Sequence, residues 1–401
     1  MEGRFEMSEA PSRARRPLDG IRIFDLTIFM VGPWASMLLG ALGAEVLHVE
    51  QPDVDWKDLS AGVPPTINGT SIGYITWNMN KRGLFLDLKA ERDREFAYQL
   101  IENSDVFLCN MRSGVPERLG MGYDHLSRVN PRLVYVRGTG FGPTGPRAGD
   151  RATDNVIQAM TGFWSTQGRR GSVGEAYRHY TQLDAMTGNT LAQAILLGLY
   201  ARRRTGAGQM IDVTMFDAAA TLQVPRLAEH FAGFTHEPMS SSSFSTAPDR
   251  AFRCEDGRWI GVSVTCDADW TALCAAVDQP ALAHDARYRS NQDRVVNREA
   301  LEEHLIPIFA RRPQSYWAHT LARAGIPFGT PLGWEVLRNH RQVLDNDYLV
   351  EVDTPAWGTV WTGGPPWHFS KTPARMGPPP IPGSDTFDLQ ASTTARAEGS
   401  R

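Results

Sequence analysis

Gly69-Thr70-Ser71-Ile72-Gly73 spells GxSxG, the spacing of a serine-hydrolase nucleophile elbow. An elbow needs a strand directly before the serine and a helix directly after it, so that the turn lifts the hydroxyl clear of a sheet. Here the serine follows VPPTIN, whose two prolines and Asn68-Gly69 turn exclude that strand, and the segment reads as a loop entering a helix. Glu50 ends the run AEVLHVE, where the ribose-binding acid of a dinucleotide site would stand. The accompanying glycines do not support that site. Only Gly32 lies at the first turn, Pro33 removes a backbone donor, and a pyrophosphate cradle needs three spaced glycines. Gly138, Gly140 and Gly142 follow the run RLVYVRG, but Pro143 and Pro146 delay any helix. They mark a loop at the carboxyl edge of a sheet, the place where α/β proteins bind ligands, without naming a cofactor. The ten histidines form neither HExxH nor HxH, so no metal site is expected. The run Arg202-Arg203-Arg204 falls at a helix C-terminus, where cations suit the helix dipole.

Asp184 lies in LDAMTG, where a long apolar helix begins. It supports two readings. As an N-cap it would accept hydrogen bonds from the first amides of the helix. The same place would keep its carboxylate ionised and available as a nucleophile. Gly188, one turn further on, would let a ligand approach the backbone closely.

The elements that must position these residues follow from hydrophobic periodicity. IRIFDLT, the helical stretch WASMLLGALG and AEVLHVE form one βαβ unit. A helix over 91–102, the strand DVFLCN, a helix over 123–129 and the strand RLVYVRG repeat the alternation, which predicts a parallel, doubly wound sheet. A helical region over 153–164 and 184–203, followed by QMIDVTMFDAAATLQ, closes this first domain. FRCEDGRWIGVSV reads as a hairpin turning at Asp256-Gly257, with helices continuing to about Ala324. YLVEVDT and GTVWTGG are short strands returning to the first domain. The expected fold class is α/β, a Rossmann-like parallel-sheet large domain with a smaller α+β domain. Its expected parts are a disordered lead-in (1–17), the large domain (18–225), the small domain (226–330), a returning C-terminal segment (331–388) and a disordered tail (389–401).

The 401 residues carry 41 basic and 45 acidic side chains, a formal net charge of −4, with 42% apolar residues. That balance gives no electrostatic reason to expect nucleic acid or an anionic membrane as partner, and the expected ligand is a small molecule. No apolar window is long enough to span a bilayer, and the first residues lack a secretory apolar stretch, so a cytoplasmic protein is expected. Cys109, Cys254, Cys266 and Cys274 are too few and too irregularly spaced for a disulfide framework or a CxxC site, and read as reduced thiols.

PLDGIRIFDLT, GPWASMLLGALGAEVLHVEQP, WNMNKRGLFLDLK, SDVFLCNMRSGVPERLGMGYDHL, NPRLVYVRGTGFG, RRTGAGQMIDVTMFDA, GIPFGTP and PPWHFSKTP occur in that order. Across residues 17–385 the chain thereby resembles the class III (CaiB/BaiF) coenzyme A-transferases, the group of formyl-CoA transferase, carnitine CoA-transferase and alpha-methylacyl-CoA racemase. The resemblance implies an interlocked homodimer, coenzyme A between domains, acyl-CoA and a small carboxylic acid as substrates, and no permanently bound cofactor. It puts Asp184 at the catalytic aspartate, which takes the acyl group as an anhydride and then CoA as a thioester. For CoA it implies Phe29 and Met30 at the first βα turn, Lys81 and Arg82, Asn110 and Met111, Arg118, Arg151 and Thr153. Lys and Arg would meet phosphates and the apolar residues would flank the adenine.

The racemases of this group carry a catalytic His-Asp pair where this chain has Thr153-Asp154. Thr153 cannot titrate near neutrality, which disfavours proton exchange at an α-carbon. Isomerisation or epimerisation of an acyl-CoA, and non-catalytic acyl-CoA binding, are the alternatives to transfer. A nicotinamide dehydrogenase stands last, because the cradle glycines are missing. Gln51 replaces a basic residue that some relatives use near the adenosine phosphates, and the serine-rich residues 239–247 stand in for a glycine-rich loop that shields the intermediate.

Overall fold

The computed structural model describes residues 16–52, 64–166, 181–233 and 245–399. Most of the lead-in and residues 239–244 of the serine-rich segment lie outside them. The described residues fall into two compact units. One draws on Met1–Thr161, Arg178–Ala228 and Gln342–Arg401, the other on Gly162–Tyr177 and Glu229–Arg341.

The first unit opens with β1 (Arg22–Leu26), α1 (Val31–Ala41) and β2 (Glu45–Glu50). A small antiparallel hairpin, β3 (Thr66–Ile67) and β4 (Thr70–Ser71), leads into α2 (Ile72–Trp77). Then come β5 (Lys81–Phe85), α3 (Glu91–Glu102), β6 (Val106–Cys109), α4 (Val115–Arg118), α5 (Tyr123–Val129) and β7 (Val134–Thr139). The set continues with α6 (Asp154–Met160), α7 (Gln182–Thr205), β8 (Gln209–Thr214) and α8 (Met215–Phe231).

Six strands pair in parallel in the order β5-β2-β1-β6-β7-β8. Counted along the chain this is the doubly wound order 3-2-1-4-5-6, whose topological switch lies between β1 and β6. β1, β2, β6 and β7 are buried almost throughout, which is why they read as continuous apolar runs. On one face Phe24, Leu47, Phe107 and Tyr135 meet Ala97, Leu100 and Ile101 of α3 and Leu126 of α5. On the other, Ile23, Val46, Leu108 and Val136 meet Ala35 and Leu39 of α1 and Leu191 and Ile195 of α7. Arg202, in the last turn of α7, is spent on structure: it donates to the Asp105 carboxylate at 2.7 Å and to the carbonyls of Asp105 and Arg132.

The second unit contains the antiparallel pair β9 (Asp249–Arg253) and β10 (Trp259–Ser263), turning through Gly257 as the sequence predicts. Helices α9 (Asp267–Ala276), α10 (Asn291–Val296), α11 (Arg298–Phe309) and α12 (Gln314–Ala324) follow. They close on a core of Phe252, Trp270, Phe309 and Trp317. β11 (Phe328–Gly329) adds to the edge of β10, and α13 (Trp334–Arg338) and α14 (Arg341–Leu344) follow it.

In the first unit again, β12 (Leu349–Thr354) and β13 (Gly358–Gly363) form a hairpin, and α15 (Thr386–Gly399) ends the described chain. The tail expected to be disordered from residue 389 is corrected here: residues 389–399 are helical. Leu389 is buried in the same cluster as Ala97 and Leu100 and docks the helix there. At the start of α15, Asp385 accepts from the Gly83 amide at 3.0 Å, and the Thr386 hydroxyl accepts from the Phe85 amide at 2.9 Å. These bonds satisfy the open edge of β5.

Candidate active site at the carboxyl edge of the sheet

In a parallel sheet every strand ends at the same edge. α1 leaves β1 there and runs back along the sheet; α7 likewise runs towards the amino edge, where β8 begins. The two helices are therefore parallel, and both open at the carboxyl edge. Gly188 makes their close approach possible: a Cβ on it would lie 2.8 Å from the Val31 carbonyl and 2.8 Å from the Trp34 ring. That glycine serves helix packing, not the ligand approach expected from sequence. Asp184, one turn earlier on the same face, lies beyond the first turn of α1 towards the Ile28–Met30 bend.

Asp184 is not the N-cap. Thr181 holds that position with φ 49°, and Asp184 is the third residue of the helix. The cap comes from elsewhere. The buried Asp154 carboxylate accepts from the Leu183 amide at 2.8 Å and the Asp184 amide at 3.1 Å, and Gln158 donates to its other oxygen. Asp154 thus stands in for the side-chain cap that α7 lacks locally. Asp184 is half-buried in the first turn, where the helix dipole favours an anion.

At the switch point Asn110 brackets Ile28: its amide oxygen accepts from the Ile28 amide at 2.9 Å, and its NH2 donates to the Ile28 carbonyl at 2.7 Å. The bend so held carries Phe29 at φ 60°, a conformation a bulky aromatic residue rarely adopts, and leaves its ring 49% exposed. The glycines at the end of β7 and just after it face protein. A Cβ on Gly140 would strike Ala152, and one on Gly138 would meet Leu191 and Asn110.

Beside Phe29 the ends of β1 and β2 and the turn after β5 enclose a cavity of about 280 Å³. Leu26, Ile28, Pro33, Leu86, Met111 and Leu119 contribute apolar wall; His48, Glu50, Gln51, Asp87 and Lys89 contribute the polar groups. Under it lies a hub. Asp25, fully buried, accepts from Thr27 Oγ1 at 2.5 Å, Ser36 Oγ at 2.7 Å, Lys81 Nζ at 3.0 Å and His48 Nδ1 at 3.1 Å. Burial works to raise the Asp25 pKa, but the charges of Lys81 and His48 and these hydrogen bonds outweigh it and hold the carboxyl far below its usual range. Glu50 shifts the opposite way. Burial raises it, and the attraction of His48, the hydrogen bond from Tyr74 at 3.1 Å and Lys81 do not compensate.

Of the residues expected to contact CoA, Phe29 and Met111 line the cavity, Asn110 shapes it, and Met30 is the buried N-cap residue of α1. Arg118 ends α4, next to the cavity-lining Leu119. Arg151 and Thr153 are exposed just before α6. Lys81 is enclosed beneath the cavity between Asp25 and Asn78, at 3.0 and 2.8 Å. Arg82 stands opposite the start of β2, bonded to Glu45 and Asp385 at the end of the sheet away from the cavity. Lys89 lines the cavity; sequence reading missed it, although FLDLK carries it directly after the strand. Ser71 of the GxSxG match ends the small hairpin β3–β4, outside the main sheet. Among the described residues no group of three His, Cys, Asp or Glu could hold a metal ion, and no helix is long and apolar enough to cross a membrane.

The strand order and a site gathered at the switch point define a doubly wound α/β protein with a candidate ligand site at its carboxyl edge. The family model of CoA-transferase family III matches residues 18–386, and the chain belongs to that family. Succinyl-CoA:glutarate CoA-transferase of Mus musculus is 30% identical over 387 residues, covering 96% of this chain and 88% of that protein. Acetyl-CoA:oxalate CoA-transferase of Acetobacter aceti is 31% identical over 358 residues, covering 88% and 90%. The crystal structure of a CaiB/BaiF family protein from Brucella suis aligns with a TM-score of 0.82 at 27% identity, covering 94% of this chain and all of that one. The protein is an enzyme of this CoA-transferase class, which takes CoA thioesters as substrates.

Proposed function

We propose that the enzyme moves CoA from an acyl-CoA donor to a small carboxylic acid, with Asp184 as the covalent nucleophile. The Asp184 carboxylate attacks the donor thioester carbonyl, forming a mixed anhydride and expelling CoA thiolate. The thiolate attacks the aspartyl carbonyl of the anhydride, giving an aspartyl-CoA thioester and releasing the donor acid. The acceptor carboxylate attacks that thioester, forming a new anhydride and freeing the thiolate again. Attack of the thiolate on the acceptor's acyl carbonyl releases the new acyl-CoA and restores Asp184. The observation that carries this reading is Asp184 in the first turn of α7 at the carboxyl edge, its backbone amide held by a second carboxylate 30 residues earlier.

The nucleotide end of CoA occupies the cavity in this proposal, with Lys89 at the phosphates in place of Lys81 and Arg82. Phe29 and Met111 flank the base, and Arg118, Arg151 and Thr153 line the way to Asp184. The working unit is an interlocked homodimer: Leu197, Tyr200, Val224 and Phe231 are 67%, 63%, 57% and 82% exposed along α7 and α8. Four free cysteines fit a reducing cytoplasm.

Incubation with acyl-CoA donors and hydroxylamine tests the chemistry: the peptide containing Asp184 is expected to become a hydroxamate. A donor that is turned over while Asp184 stays unmodified, or transfer retained by Asp184→Asn, would overturn the assignment. Sedimentation of the purified protein as a monomer would overturn the dimer.

A further inference from the structure

We propose that Glu50, in its uncharged carboxylic acid form, reads the amino-substituted edge of the adenine ring in the cavity beside β2, and so sets the base specificity of the enzyme. The inference rests on the reading of that cavity as the nucleotide site. It accounts for an acid at the end of β2 that the dinucleotide pattern left without a role.

Geometry comes first. His48 and Glu50 are two residues apart on one strand, so both project from the same face of β2, and both line the cavity. Apolar lining comes from Leu26, Ile28, Phe29, Leu86, Met111 and Leu119. A cavity of about 280 Å³ with a few polar groups on an apolar lining suits a single flat heterocycle, not a whole acyl-CoA.

The hydrogen-bond inventory fixes what each polar group offers. Asp25 is ionised and can only accept, so His48 Nδ1 must be the donor at 3.1 Å, and Nε2 is the ring nitrogen left for the cavity. Tyr74 donates to Glu50 Oε2 at 3.1 Å. An uncharged Glu50 then presents an O–H donor beside a carbonyl acceptor. Adenine presents the complement, a ring nitrogen acceptor beside an N–H donor. An ionised Glu50 would present acceptors alone, and the ring nitrogen would have no donor to meet.

Burial favours the uncharged form, pushing the Glu50 pKa up. The charged or titratable groups around it are His48, Lys81, Asp25 and Tyr74, with Asp87 and Lys89 on the cavity wall. His48 and Lys81 draw the value down and Asp25 pushes it up, with burial prevailing.

The test is calorimetric titration of the full chain with adenosine 3′,5′-bisphosphate and with its purine-riboside analogue, which lacks the exocyclic amine. The wild type is expected to prefer adenosine by about tenfold or more. Glu50→Met should bind the two alike, while Glu50→Gln, whose amide keeps a donor beside an acceptor, should retain the preference. The preference of the wild type should decline as pH rises, and that of Glu50→Gln should stay flat. Because each result is a ratio within one folded protein, partial loss of stability does not mimic it. Equal binding of both nucleotides by the wild type, or a preference that survives in Glu50→Met, overturns the inference and leaves the covalent chemistry untouched. Failure of both nucleotides to bind overturns the inference together with the placement of CoA in this cavity. Asp184 labelling then reports separately whether the transferase reading stands.

Discussion

Asp25 and Asp184 are two aspartates at the same edge of the same sheet, and they are held in opposite ways. Asp25 is fully buried and takes four side-chain donors, two from its own βα unit and two from strands on the way to β5. A carboxylate so surrounded joins β1, α1, β2 and β5 and is buried away from any substrate. Asp184 is positioned through its backbone: its amide, in the first turn of α7, is held by the Asp154 carboxylate. Donors that converge on a buried carboxylate commit it to structure, whereas the carboxylate proposed above for chemistry is placed through its backbone amide.

Substitutions should separate the two. The largest effect is expected for Asp184→Asn, which should reduce CoA transfer on the order of a thousandfold or more while leaving the melting temperature nearly unchanged. Matched kinetic and thermal measurements check both halves. Asp25→Asn should do the reverse, costing about 3–5 kcal/mol in urea unfolding because Lys81 is left buried without its counter-ion. The Asp25 pKa is depressed in the folded state, so its contribution is complete above the ordinary carboxyl value of 3.8 and disappears as pH falls below it. The wild type should therefore lose stability steeply below about pH 4, and Asp25→Asn should show a shallower decline.

Asp154→Ala lies between them. Loss of the acceptor shared by Leu183 and Asp184 should cost about 1–2 kcal/mol and lower kcat more than it raises KM. Asp154→Asn, which keeps one acceptor oxygen, should recover most of the stability, and a melt combined with steady-state kinetics distinguishes the two variants. The smallest effects sharpen the comparison for cations. Lys89→Ala should raise KM for the acyl-CoA with kcat unchanged. Arg82→Ala should leave KM alone and cost at most about 1 kcal/mol, since its ion pairs with Glu45 and Asp385 are half-exposed.

The four central strands were legible because burial on both faces demands uninterrupted apolar residues. The edge strands were not. KRGLF begins with two cations, and QMIDVT stands among helical residues; both become strands only because a neighbour offers a free edge. The same limit applies to the site. Asp184 was recognisable from its place before a long apolar helix, but Asp154, 30 residues away, supplies the cap expected of it. Lys81 and Arg82 read as phosphate ligands because nothing in NKRG shows their partners. Those are Asp25, 56 positions earlier, and Asp385, 303 positions later.

The linear order of residues determined the doubly wound class, the family and the candidate nucleophile, since apolar runs, turn residues and ordered motifs are properties of short segments. Only the tertiary structure decided which charges are structural, which carboxyl burial pushes towards its uncharged form beside the cavity, and that Lys89 lines it. The charge state and reach of a side chain depend on burial and on partners brought close by folding, and distance along the chain carries little of that information.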